Sequence, residues 1–150
     1  MLSKQQIGKA GELLVQYRLL LLGIESSQMT TDAGIDLVAY LPKRKTAITI
    51  QVKTNLMPKP GGGKGSLSLD WWIPCDSPAQ LCTFVDLKSE RVWILKTREI
   101  ESIAQQKSGG RWHLYIYTGK AKTKKKWATE HEMMPFEFHR RQKTAFGVIE

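Results

Sequence analysis

Cysteine is scarce in this chain: of 150 residues only Cys75 and Cys82 carry a thiol, seven apart and in no C-x-x-C pair. That spacing argues against a structural zinc site, and the expectation is that both thiols are buried as small apolar groups, as intracellular chains keep them. Long apolar runs are missing too. The longest, Leu19 to Leu22 with Ile24 beyond Gly23, falls far short of the roughly 20 residues that span a bilayer. The N-terminus turns polar at Ser3-Lys4-Gln5-Gln6 without the charged, apolar and small-residue regions of a secretory signal, so the expected location is cytoplasmic, with no membrane partner. Histidines offer no metal site of their own: His131-Glu132 is followed by Pro135 where H-E-x-x-H needs its second His, and His113 and His139 have no near partner of ligand type. Nor is Gly61-Gly62-Gly63-Lys64-Gly65-Ser66 a phosphate-binding G-x-x-x-x-G-K-[ST], because Gly65 stands where Ser or Thr must follow Lys.

Acidic residues are also in deficit, 14 against 23 Lys and Arg, for a formal charge of +9. The excess sits at both ends: residues 1–75 carry +4, 76–110 are neutral, and 111–150 carry +5. Short basic clusters fall in apparent loops, at Lys43-Arg44-Lys45, at Lys59 and Lys64, and from Lys120 to Lys126. Such clusters suit a polyanion, although small proteins also carry surplus lysine for solubility alone. An apolar share of 41% over this length predicts one domain spanning 1–150, with a lysine-rich loop at 119–127.

Ser3 and Gln6 form a capping box that opens a helix over about Lys4 to Leu22, stopped by Gly23. Ile7, Ala10, Leu14, Tyr17 and Leu21 give it one apolar stripe, and the small residues Gly8, Ala10 and Gly11 imply a close approach of backbones. Glu25 to Thr31 reads as a connector. Ile35–Leu41 and Thr46–Thr54 then read as a hairpin, Leu67–Ile73 as a strand, Leu81–Leu87 and Arg91–Leu95 as a second hairpin, Thr97–Gln106 as a short helix, and Trp112–Thr118 as a strand. Short pieces of unassigned type follow around Met133 to Phe138. Trp71, Trp72, Trp93 and Trp112 fall in strands and are expected in the core, which leaves Trp127 as the candidate for stacking on a base.

The first hairpin has a chemical consequence. If Leu41 pairs with Thr46, Asp36 comes opposite Gln51, and alternation sends Asp36, Gln51 and Lys53 to one face while Ile35, Leu37, Ala39, Leu41, Ile48, Ile50 and Val52 take the other. A slip of one residue would bury the polar trio without partners, which is too costly to survive.

Gly8-Lys9-Ala10-Gly11-Glu12, Asp32-Ala33-Gly34-Ile35-Asp36-Leu37-Val38-Ala39 and Ile50-Gln51-Val52-Lys53-Thr54, in that order and spacing, resemble the PD-(D/E)XK nuclease superfamily. The variant with Gln in the middle is similar to Mrr-type restriction endonucleases, to Holliday junction resolvases and to the group I intron homing endonucleases of that superfamily. The resemblance implies a restriction-endonuclease-like α/β fold, a central mixed sheet flanked by helices, and a metal-dependent DNA endonuclease of homing, restriction or junction-resolving type. It implies Asp36, Gln51 and Glu12 as metal ligands and Lys53 as the lysine of the motif, with Mg2+ as cofactor and Mn2+ as a substitute. DNA is the implied partner. Because one small subunit offers one site and a duplex has two strands, a homo-oligomer, dimer or tetramer, is expected.

Oxygen ligands suit a hard cation that polarises a phosphoryl oxygen and acidifies a bound water, and Lys53, two residues past Gln51, is placed to orient that water or to offset developing charge. Lys43, Arg44, Lys45, Lys59, Lys64, Lys124, Lys125 and Lys126 are the candidate phosphate contacts, and the glycine-rich loop could close over DNA. Asp32 lies four strand residues from Asp36, about 13 Å off the Gln51 level, and reads as a turn or supporting residue. The alternatives are plainer. Glu12 shares a helix face with Gln5, Lys9 and Gln16 and could be solvated surface, the hairpin trio could be a cross-strand polar cluster, and a chain with Gln51 in place of a carboxylate could bind nucleic acid without cleaving it.

Overall fold

The computed structural model describes residues 1–31, 33–119 and 122–147. Asp32 and Lys120 therefore lie outside the described residues. Helix α1 spans Lys4–Leu21, and its capping box is closed in both directions: Gln6 N–H donates to Ser3 Oγ at 3.1 Å and Ser3 N–H to Gln6 Oε1 at 2.8 Å. The expected connector contains a short strand, β1 (Ser26–Gln28). Strands β2 (Leu37–Leu41) and β3 (Thr46–Asn55) follow in the register anticipated, Leu41 opposite Thr46 and Leu37 opposite Ile50. The two-residue strand β4 (Lys59–Pro60), a 3-10 turn at Gly61–Gly63 and strand β5 (Leu67–Pro74) come next, then β6 (Leu81–Asp86) and β7 (Arg91–Lys96). The helix expected over Thr97–Gln106 is shorter. A 3-10 turn leads into α2 (Ile100–Ile103), and Gln106–Ser108 is strand β8, joined through Gly109-Gly110 to β9 (Arg111–Tyr117). Helix α3 (Glu130–Met133) and helix α4 (Phe138–Phe146) close the chain.

The strands form two sheets. One is mixed and five-stranded in the order β1-β2-β3-β6-β7, with β3 and β6 parallel; the other is four-stranded and antiparallel, β4-β5-β9-β8. Each face of the first sheet has its own core. Val15 and Leu19 of α1 and Phe138 and Phe146 of α4 pack on Leu37, Ala39, Leu41, Ile48 and Ile50, so this face is flanked by helices as expected. On the far face Cys82, Phe84, Trp93 and Leu95 meet Leu69, Trp71, Ile73, Leu114 and Ile116 of the second sheet. Sequence reading gave those strands without placing them in a separate layer, and that layer buries the face on which the polar trio lies.

Two tryptophan expectations are revised. Trp71 and Trp93 are core, their rings 5.8 Å apart, but Trp72 points to the outer face of the second sheet, while Trp127 packs edge-on against Phe136 at 5.6 Å. A side chain committed to that packing is not a free platform. Helix α4 is tied down by Arg141, which donates to the Ile94 carbonyl and to both Glu99 carboxylate oxygens, holding that carboxyl below the usual carboxylate range. No helix among the described residues is long and apolar enough to cross a membrane.

The small residues of α1 serve the close approach anticipated, at one position. A β-carbon on Gly11 would collide with the Thr54 side chain of β3, whereas one on Gly8 would meet nothing within 4 Å. Gly11→Ala is therefore expected to destabilise the fold by about 1–3 kcal/mol through overpacking, and Gly8→Ala to be neutral or stabilising by up to about 1 kcal/mol through helix propensity. Urea unfolding of the two variants beside the parent measures both signs.

Candidate active site

The β2–β3 ladder ends one residue short of Asp36. There the Asp36 backbone N–H donates to the Ile50 carbonyl at 2.9 Å, and its carboxylate accepts the Val52 N–H at 2.6 Å. Asp36 thus occupies the point where the two strands part, and its carboxylate is fixed by the backbone of the strand that carries Gln51 and Lys53. The loop before it is held by a close contact: Gly34 has φ +81°, and a β-carbon there would press on the Pro78 ring at 2.9 Å. Only glycine satisfies both requirements without strain.

Glu12 reaches the same place from α1. Glu12 and Asp36 line one cleft of about 870 Å³, bounded also by Lys9, Met29, Thr30 and Ile35. Lys9 Nζ sits 2.6 Å from Glu12 Oε2 and donates to Gln28 Oε1 at 2.9 Å, while Gln28 Nε2 donates to Gln16 Oε1 at 3.0 Å. The polar face of α1 is therefore docked on β1, rather than being a bare solvated stripe.

Gln51 and Lys53 lie on the opposite face of β3 from α1, in register with Cys82 and Phe84 of β6. Gln51 is only 5% exposed, and its Oε1 accepts from Ser77 Oγ at 2.8 Å. The Cys82 thiol next to it is pushed up by burial, with Thr97, Lys53 and Ser77 drawing it down and Asp36 adding to the rise. Lys53 and Asp36 thus act on one buried group. Asp36 is shared between two clusters: Glu12 joins it in the cleft, while Lys53, Gln51 and Ser77 lie around Cys82 beneath it. Among the described residues no three His, Cys, Asp or Glu side chains are gathered tightly enough to hold a metal by themselves. Sequence reading missed Ser77. Its only signal was Ser77-Pro78, a turn dipeptide ahead of a strand.

The candidate phosphate contacts are dispersed. Lys43, Arg44 and Lys45 form the exposed turn at the far end of β2 and β3, five strand residues or roughly 17 Å from Asp36. Arg44 there reaches α4, its Nη2 3.5 Å from the Thr144 carbonyl. Lys59 and Lys64 are exposed on either side of the Gly61–Gly63 turn. Lys124, Lys125 and Lys126 are exposed between β9 and α3, with the Lys126 carbonyl accepting from Gln105 Nε2 at 3.1 Å.

No protein-family model and no curated protein matches the sequence. Among solved structures, that of a bacterial homing endonuclease, I-Ssp6803I, matches with a TM-score of 0.59 at 14% identity, over 95% of this chain and 97% of that one. The chain shares that endonuclease's fold. The match covers nearly the whole of both chains.

The two cysteines separate cleanly. Cys75 is exposed, contrary to the expectation that both are buried, because it lies in the turn after β5 rather than in a strand; Cys82 is buried in β6. Since the thiolate is the reactive form and burial raises the Cys82 thiol, iodoacetamide at neutral pH is expected to label Cys75 alone, and Cys82 only after unfolding. Peptide mapping of the native and denatured reactions reads this directly.

Proposed function

We propose that this chain is a metal-dependent DNA endonuclease whose centre is the cleft between Glu12 and Asp36. The observation that carries the reading is the Asp36 carboxylate, held by the Val52 N–H at the parting of two strands, within a chain that matches a homing endonuclease fold from end to end. The donors are all oxygens: two carboxylates in one cleft, with water to complete the shell, a set that suits magnesium, which keeps several waters and takes few protein ligands. Glu12 and Asp36 would hold the ion, which when bound polarises the phosphoryl oxygen and acidifies a water. Val52 N–H fixes the orientation of Asp36, and Lys9 balances the charge of Glu12. Lys53, on the face of β3 opposite α1, supplies a cation to orient the attacking water or to neutralise charge growing on the phosphate.

The dispersed lysines and the overall charge of +9 supply the sequence-independent attraction to phosphate. Cutting a duplex requires two such centres, which a symmetric homo-oligomer provides. Leu13, Tyr17, Leu20 and Leu21 of α1 and Tyr40 of β2 are exposed and apolar, as an interface between copies requires. The homing role is favoured over restriction or junction resolution by the named neighbour. A second reading has its own support: the Gln51 oxygen is already engaged by Ser77, so a nucleic-acid-binding module without cleavage fits the same fold.

Incubation with supercoiled plasmid in magnesium, and in chelator, separates the two. Cleavage in magnesium alone is expected, and Asp36→Asn and Lys53→Ala should each lower the rate by 100-fold or more, about 2.7 kcal/mol of barrier. Asparagine is the informative substitution at Asp36, because it keeps an acceptor for Val52 N–H while removing the charge. Equal cutting by either variant removes that residue from the centre, and no cutting by the parent under any divalent ion favours the binding module.

A further inference from the structure

The outer face of the second sheet carries a row of planar groups that the cleft chemistry does not use. Trp72 of β5 and His113 of β9 are cross-strand partners whose rings stack 4.0 Å apart and within 4° of parallel. Arg111 lies over the Trp72 ring at 4.9 Å, and the row continues along β9 through Tyr115, 5.3 Å from His113, to Tyr117, 5.6 Å from Tyr115. All four rings are half-buried, whereas Leu69, Ile73, Leu114 and Ile116, which alternate with them on the same strands, are fully buried. At the tyrosine end the face sinks into a depression of about 270 Å³, lined by Lys59, Asp70, Gln106, His113, Tyr115 and Tyr117.

Cross-strand aromatic pairing accounts for Trp72 on His113. It does not account for a depression lined by an imidazole, an amide, a carboxylate, two phenols and an ammonium. The volume falls just below the usual range of small-ligand sites, on the scale of one nucleoside, and a duplex keeps the faces of its bases hidden. Charge selects among flat ligands: Lys59 lines the depression and Arg111 closes the opposite end of the row, an arrangement that suits a phosphate backbone tracking along the sheet. The depression is also rigidly connected to the candidate centre. Asn55, at the end of β3, donates to the Asp70 carbonyl at 2.8 Å and accepts the Asp70 N–H at 2.9 Å.

We infer that this face binds unpaired DNA, with a base seated against Tyr115 and Tyr117 and a phosphate on Lys59. That the polymer is DNA rests on the endonuclease reading; the stacking geometry does not. Fluorescence anisotropy of a labelled oligothymidylate of about 12 nucleotides, within the usual site size, tests it in chelator so that no cleavage intervenes. Tyr115→Ala with Tyr117→Ala is expected to weaken oligothymidylate binding tenfold or more while leaving affinity for a duplex of the same length unchanged. Tyr115→Phe with Tyr117→Phe, which keeps the rings, should retain the parent affinity. Lys59→Gln touches no packing and should weaken oligothymidylate severalfold even if the alanine pair fails to fold. Unchanged oligothymidylate affinity in the folded alanine pair or in Lys59→Gln overturns the inference, as does an equal loss for duplex and single strand in the alanine pair. Plasmid cleavage by the alanine pair with unaltered oligothymidylate binding would remove this platform and leave the endonuclease standing. Weakened oligothymidylate binding in a protein that cuts nothing in magnesium would do the reverse.

Discussion

Strand β3 is covered on both faces at its middle, and the rest of the molecule is arranged around that constraint. Ile48 and Ile50 point into the core beneath α1 and α4, and Gln51 points into the layer closed by the second sheet. Because alternation is strict, a shift of one residue would exchange isoleucine for glutamine and lysine in the helical core, leaving polar groups there without partners. Gly11 lets α1 approach Thr54, the parallel pairing with β6 brings Cys82 and Phe84 alongside Gln51 and Lys53, and Asn55 fastens the strand's end to β5. Each contact pins the same register, and in that register the Asp36 carboxylate meets the Val52 N–H.

This explains how the candidate centre is placed. Carboxylates at sheet edges are common and usually incidental, but Asp36 sits where β2 has just left the ladder, with its carboxylate completing the hydrogen bonding of β3. A group fixed in that way loses little freedom on meeting a cation, which is the preorganisation that electrostatic catalysis needs. Glu12 arrives from α1 and Lys53 from the other face of β3, so the centre draws on three elements whose relative positions are set by two separate cores.

Much of this was legible in the sequence wherever one local rule acted alone. The Ser3–Gln6 box, the Leu41–Thr46 register and the division of the hairpin into apolar and polar faces all followed from spacing, and all are present. What escaped was set by partners distant in the chain. β1 is three polar residues held by Gln16 and by Val38 and Ala39, with no pattern of its own. The second sheet was invisible as a layer because alternation tells a strand which side is apolar, not which strand covers it. Trp72 and Trp127 exchanged expected roles for that reason, and the cover over Gln51, which is buried beside Ser77, could not be read from the face that alternation assigned it.

The cleft bounded by Glu12 and Asp36 is the proposed centre at which a divalent cation and a phosphodiester meet. Crystals grown with Mn2+ and measured at the manganese absorption edge test it without reference to activity. An anomalous peak within coordination distance of the Asp36 carboxylate, lost in Asp36→Asn, is the result predicted; manganese bound elsewhere on the chain, or density unaffected by that substitution, would contradict it.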